Sequence, residues 1–366
     1  MPAVDVSAFY ARIRNHLADT ERKAPEISER HYKIAGRTLV IRFVGPALIP
    51  FIVPALAHLE SARSSAQPDL FLNCWDCASL GTDFPNAPVS KEAFTPRGEI
   101  RGLTDKSFRT AFEPDGGQLS LMDVQSRRAV YCTRSAGEIP RFELAEPIRA
   151  ILSWFMRENG RQLIHAGAVG TRRGGVLLIG RSGAGKSNSA LACLASDLSY
   201  AADDFCAVSA TGNPEVYSLY CTGKTHEKDW DRHPFLLGLS PQRDPQRLEK
   251  AIYFLNDTVP HKLIAGFPLK AILLLRKAEF FGLRPASMAS TLSRIAPDTA
   301  KLLPGAGEEV LRCLTRLVRL VPCYEMSIGP DSQLVPQTIS HVLSEQTAGT
   351  PAFEAANEGP SSIPAG

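Results

Sequence analysis

The sequence predicts an α/β chain, in which a strand, phosphate loop and helix core follows a β-rich N-terminal α+β module. Three observations predict this. The run Gly180-Arg181-Ser182-Gly183-Ala184-Gly185-Lys186-Ser187 matches all the fixed positions of G-x-x-x-x-G-K-[ST]. Short apolar, β-branched runs at 162–169, 175–179 and 200–208 read as buried strands around it. Upstream, residues 68–145 hold several short strands separated by Pro85, Pro88, Pro96, Pro114, Gly116 and Gly117.

In chain order, residues 1–24 carry an amphipathic helical pattern, and 32–43 alternate as a strand pair around Gly36. The apolar stretch 43–59 contains Pro46, Pro50 and Pro54 and is too short to span a bilayer, so it reads as a buried strand, turn and helix. Pro147 opens a helix to about Glu158, with Trp154 and Phe155 for its buried face, and Asn159-Gly160 ends it. Beyond 209, the clearest elements are a strand at 268–275 and a helix at 308–320 with a basic last turn. The expected division is an α+β domain at 1–145, a catalytic domain at 146–345 and a disordered tail at 346–366, rich in Ala, Gly, Pro and Ser. No internal repeat is visible.

The loop points to a nucleoside triphosphate. Glycines at 180, 183 and 185 let backbone N–H groups turn inward around phosphates, and the helix starting near Lys186 directs its positive end at the same anion. Lys186 is then expected to reach the β/γ-phosphates and the Ser187 hydroxyl to ligate Mg²⁺, which makes ATP and Mg²⁺ the expected cofactors. The run 200–208 is interrupted by Asp203 and Asp204, two adjacent charges in an apolar segment. An acidic pair there faces a metal or a catalytic proton, or else belongs to a turn or cap. Alternation sends the two side chains to opposite faces unless the strand ends between them, so they should have different jobs. His165, central in the run 162–169, is either a satisfied core histidine or a partner for a catalytic carboxylate beside the loop.

Ile164-His165-Ala166, the loop 180–187 and Ala202-Asp203-Asp204, in that order, resemble the catalytic core of HPr kinase/phosphorylase, over about an eighth of the chain. The resemblance implies a fold shared with phosphoenolpyruvate carboxykinase and transfer of a phosphoryl group to a serine hydroxyl of a protein. It implies that Lys186 and Ser187 hold the triphosphate and metal, that Asp203 is the base, that His165 orients Asp203, and that Asp204 helps hold the metal or its waters. The family's glutamate-arginine-glycine signature after the acidic pair is not found, and the N-terminal part does not resemble the regulatory domain of the bifunctional enzymes. The layout is more similar to the lasso peptide kinases, which phosphorylate the C-terminal serine of a precursor peptide. Weaker support comes from Leu219-Tyr220 with Lys224, Ala296-Pro297, and Leu320-Val321-Pro322 with Tyr324 and Gly329. Lys224 reads either as a solvated lysine or as a second cation near the phosphates. Other readings in view are an HPr-like signalling kinase, a small-metabolite kinase and a nucleotide-driven switch.

The 366 residues carry a formal net charge of +3, which implies no nucleic-acid partner, and the N-terminus lacks a signal-peptide pattern. The expectation is a cytoplasmic enzyme with a peptide or small-protein acceptor and no membrane partner. Its eight cysteines are scattered, mostly in apolar runs where a thiol behaves as a small hydrophobe. Cys74-Trp75-Asp76-Cys77 is a single C-x-x-C without a second ligand pair at zinc-site spacing, and reads as coincidence.

Overall fold

The structure is a computed structural model. It describes residues 5–86, 91–95, 98–100, 102–113, 117–233, 236, 250–305, 307–329 and 333–346. The tail expected at 346–366 lies outside these, apart from Gln346, which closes the last helix. Among the described residues no helix is long and apolar enough to cross a membrane.

The chain begins with α1 (Val6–Lys23), capped by the Asp5 carboxylate, which accepts from the N–H groups of Ser7 and Ala8. A six-stranded mixed sheet follows: β1 (Ile27–Ile34), β2 (Arg37–Val44), β3 (Leu70–Asp76), β4 (Phe108–Phe112), β5 (Gln118–Asp123) and β6 (Arg128–Thr133), in the order β1-β2-β3-β6-β5-β4. The expected strand pair around Gly36 is β1 and β2, joined by Ala35 and Gly36, both left-handed. The proline-rich stretch forms α2 (Ile49–Leu56), with Pro50 in its first turn, where a missing N–H costs nothing. Cys74 sits in β3 and Cys77 opens the short α3 (Cys77–Leu80). Then α4 (Arg149–Glu158) buries Trp154 and Phe155 as the apolar pattern requires.

The second half is built on β7 (Gln162–His165), β8 (Gly167–Thr171), β9 (Gly174–Ile179), α5 (Lys186–Cys193), β10 (Ser199–Ala202), β11 (Phe205–Ser209) and β12 (Glu215–Tyr217). It continues with β13 (Thr222–Thr225), β14 (Ala251–Phe254), β15 (Gly266–Lys277), β16 (Gly282–Pro285), α6 (Met288–Leu302), α7 (Glu308–Leu320), β17 (Cys323–Ile328) and α8 (Leu334–Gln346). Among the described residues nine strands form one sheet, with β13 and β14 as a separate ribbon.

Two expected single strands are each two strands. The run 162–169 breaks at Ala166: β7 pairs with β11, while β8 pairs with β9 and β10. The run 200–208 breaks at Asp203-Asp204: β10 pairs with β8, while β11 pairs with β7 and β12. The 12-residue β15 also changes partners, lying against β12 at its start and against β9 and β17 further on. Three segments therefore pass from one half of the sheet to the other along a common seam. The Ala166 N–H donates to the Asp204 carbonyl at 2.9 Å and fastens two of the crossings together. One apolar cluster runs from Tyr32 and Leu39 of the N-terminal sheet through Trp154 to Leu163, Ile272 and Leu314, and fixes the seam from beneath.

Candidate functional site

The loop 180–187 joins the end of β9 to the start of α5, at the carboxyl ends of the parallel strands β9, β15 and β17. That is where open α/β sheets carry ligands. Gly183 and Gly185 are left-handed, at φ 81° and 104°, which turns successive N–H groups to one side as an anion-binding concavity requires. A Cβ on Gly180 would lie 2.7 Å from the Ala184 Cβ, so only glycine fits there. Lys186 is buried, and its Nζ folds back to donate to the Gly180 carbonyl at 2.7 Å. Burial lowers its pKa, and the carboxylates of Asp204 and Asp203 partly offset this. Arg181, Ser182 and Gly183 are exposed, Ala184 is half-buried and Ser187 is buried. Beside the loop is a cavity of about 450 Å³ bordered by Ala184, Gly185, Asn188, Lys277, Ile328 and Gly329. Its size is in the range of small-ligand sites.

The seam brings His165, Asp203 and Asp204 together, because β7 ends and β11 begins in register at His165 and Phe205. Asp203 is buried. One of its oxygens accepts from the Lys224 backbone N–H at 3.0 Å, and the other, Oδ1, has no hydrogen-bond partner among the described residues. Burial, reinforced by the charge of Asp204, pushes its pKa up to about 6, while the Lys250 charge, a weak approach of the Ser187 hydroxyl as donor and the Lys224 charge act the other way. Asp203 thus looks toward Ser187, whose Oγ accepts from Lys250 Nζ at 3.0 Å.

Asp204 faces elsewhere. Its Oδ2 accepts from Lys224 Nζ at 2.5 Å, and its Oδ1 lies 3.5 Å from His165 Nε2. Burial alone would raise this carboxyl; the Lys224 ammonium and His165 overcome that and hold it well below the usual range. The expected pairing of His165 with Asp203 is therefore not formed. The physical reason is the break between β10 and β11: with no strand to alternate along, the two side chains are set by the crossing, and the one on the His165 side is Asp204. The His165 ring lies tilted against Phe205 with centroids 5.3 Å apart, its main-chain N–H donates to Thr299 Oγ1, and its Nδ1 lies 3.9 Å from Asp298 of α6.

Lys224 is not the solvated lysine that one reading of its sequence context suggested. It is half-buried on the β13–β14 ribbon and bridges Asp204 to Glu146, both at 2.5 Å. Burial would lower its pKa, but the two carboxylates raise it well above the ordinary lysine value. Glu146 also accepts from Arg149, at 2.5 Å, and the Arg149 guanidinium lies over the Phe205 ring. Ile148, between them, is left-handed at φ 50°, an unusual conformation for a β-branched residue and a cost borne next to the site. Glu146, Arg149, Lys250 and Asp298 were missed by sequence reasoning. None carries a local motif, and each arrives by a long-range contact.

The residues fit a metal-bound triphosphate. Asp203 Oδ1 is a buried acceptor left open, Ser187 Oγ is adjacent to a cation, and the loop glycines have the conformation an anion needs. Among the described residues no group of three His, Cys, Asp or Glu side chains could by itself hold a metal ion, so a metal here would need ligands from elsewhere, such as phosphate oxygens. No protein-family model matches the chain, and no curated protein matches it.

Proposed function

We propose that this chain is an ATP-dependent serine kinase of the HPr kinase type, acting on a peptide or small protein, with the C-terminal serine of a ribosomally made, lasso-type precursor as the favoured acceptor. The observation that carries the reading is the convergence on one seam of the loop 180–187, an open buried carboxylate at Asp203 and a charge-paired carboxylate at Asp204. The loop amides and Lys186 hold the triphosphate, and Ser187 with Asp203 holds Mg²⁺. When bound, Mg²⁺ neutralises phosphate charge during in-line transfer.

In this reading the two aspartates exchange the roles that the family resemblance gave them. Asp203, beside Ser187, is the metal-side carboxylate. Asp204, oriented by His165 and Lys224, accepts the proton of the acceptor hydroxyl. Its low pKa makes it a weak base, which a loose transition state tolerates, because the hydroxyl proton is lost late. Lys186 leaves the Gly180 carbonyl for the phosphates, and Lys250 gives up Ser187. His165 positions Asp204 and carries no proton itself.

The test is ATP turnover with and without serine-bearing peptides, read by mass spectrometry of the peptide. A kinase yields a phosphopeptide and needs Lys186 for it. ATP hydrolysis unaffected by every acceptor, with no phospho-product, would replace this reading by a nucleotide-driven switch.

A further inference from the structure

A second cavity, of about 600 Å³, lies away from the loop, at the opposite end of β7 from His165. Gln162 borders it and His165 is three residues on, which separates the cavity from the seam by about 10 Å of extended chain. Its chemistry is unlike that of the first. Five arginines line it, from three different elements: Arg109 on β4, Arg157 and Arg161 around the turn after α4, and Arg312 and Arg316 on α7. Among the described residues two carboxylates, Glu158 and Glu309, share the lining.

The pairing inside the cleft is incomplete. Arg109 reaches Glu158 at 2.8 Å, Arg157 approaches Glu309 only to 3.8 Å, and Arg312 takes Glu308 at 2.6 Å. Arg316 and Arg161 have no carboxylate partner among the described residues, and the buried Arg161 Nε makes no hydrogen bond. Arg312 and Arg316 stand one helical turn apart, a like-charge spacing that costs stability when nothing sits between them. Burial lowers the Arg157 pKa and the neighbouring Arg109 lowers it further, with Glu309, Glu158 and Glu99 acting the other way without overcoming them. The cleft is also held rigid. Arg157 donates to the Gly305 carbonyl at 2.9 Å, Arg161 donates to the Asn159 carbonyl at 2.8 Å, and its guanidinium stacks 5.0 Å over Tyr217.

We infer that this arginine cleft is a second ligand site, taking a compact molecule with two or more closely spaced phosphate or carboxylate groups. Guanidinium forks match both groups bidentately and keep their charge when partly buried. The shape selects a compact anion over an acidic peptide. The arginines converge on one bounded cavity from separate elements, whereas an extended acidic chain would call for a stripe. This site is independent of how the loop 180–187 is used.

The experiment is calorimetric titration of the full chain with pyrophosphate and with citrate at about 0.15 M salt, in the Lys186→Ala background so that the loop does not compete. Saturable binding is expected for at least one probe, and which of them binds assigns phosphate or carboxylate as the preferred group. Arg312→Gln/Arg316→Gln, both on the exposed face of α7, should weaken it by about tenfold or more without unfolding the protein, since the like-charge relief and the lost Glu308 pair offset each other. Arg161→Gln gives a second, independent loss should the double variant fold poorly. Absence of binding by both probes, binding indifferent to all three arginines, or binding of a hexaglutamate peptide in preference to both small anions would overturn the proposal.

Discussion

Two aspartates in different halves of the molecule are buried to the same degree, Asp76 with 3% and Asp203 with 4% of its surface exposed, and the chain uses them in opposite ways. Asp76 ends β3 in the N-terminal sheet. Its Oδ1 accepts from the Ser79 N–H at 2.7 Å, and its Oδ2 accepts from Thr133 Oγ1 and the Ala136 N–H. Asp203 follows β10 on the seam, and one of its oxygens is left open beside Ser187. Burial and sequence context are alike in the two cases, an acidic residue at the end of an apolar strand. What separates a structural carboxylate from one held for a ligand is the count of donors around it.

The largest effect expected is at the bridge between the two halves of the site. Lys224→Met leaves Glu146 and Asp204 facing each other without the ammonium that neutralises both, and should cost about 3–5 kcal/mol. Chemical denaturation measures it. A loss under about 1 kcal/mol would mean that the bridge is solvated and the seam is not held by it.

Next comes the catalytic contrast. Asp204→Asn should lower the transfer rate per folded molecule by about 10²–10⁴ and also cost stability through the lost Lys224 pair, and His165→Ala should lower the rate less, because a positioning residue is lost rather than the base. In the double variant the two losses should not add. Additive losses in single-turnover assays would show that His165 acts on something other than Asp204.

The comparison of the two aspartates gives effects of opposite sign. Asp76→Asn puts amide hydrogens against existing donors and should destabilise the N-terminal sheet by about 1–3 kcal/mol at neutral pH. Asp203→Asn should stabilise the ligand-free protein instead. The folded-state pKa of Asp203 is about 6, above its ordinary 3.8, so the wild type loses stability as pH rises from about 4 through 6 while this group ionises. The variant escapes that loss. The difference in melting temperature should be near zero at pH 4 and grow in favour of the variant by pH 7. A variant less stable than wild type at pH 7 would mean that the Asp203 charge is already compensated.

The smallest effect expected on stability is at Gly180→Ala, where the added methyl meets the Ala184 Cβ at 2.7 Å and the Leu275 carbonyl at 3.1 Å but the exposed loop can move. The loop must shift to admit it, so nucleotide affinity should fall more than stability does.

How much of this was legible follows from the range over which each feature is encoded. The loop, β9 and α5 lie within twenty residues and carry their own glycines and apolar runs, so they read directly. The α7 helix reads equally well from its amphipathic pattern. The breaks at Ala166 and at Asp203-Asp204 did not, because a strand that changes partners stays extended and apolar on both sides of the crossing. The residues alone left open which carboxylate His165 would meet; the family resemblance named Asp203, whereas the break after β10 puts Asp204 on the His165 side. Lys224 and Glu146 were opaque for a different reason: they are 78 positions apart, and nothing local marks either as the other's counter-charge.

Titration of a non-hydrolysable ATP analogue with and without Mg²⁺ tests the division of labour between Asp203 and Asp204 most directly. The prediction is that Asp203→Asn abolishes the gain in affinity that Mg²⁺ gives the wild type, whereas Asp204→Asn keeps that gain in full. Retention of the Mg²⁺ effect in Asp203→Asn with its loss in Asp204→Asn would contradict the assignment and return the base to Asp203.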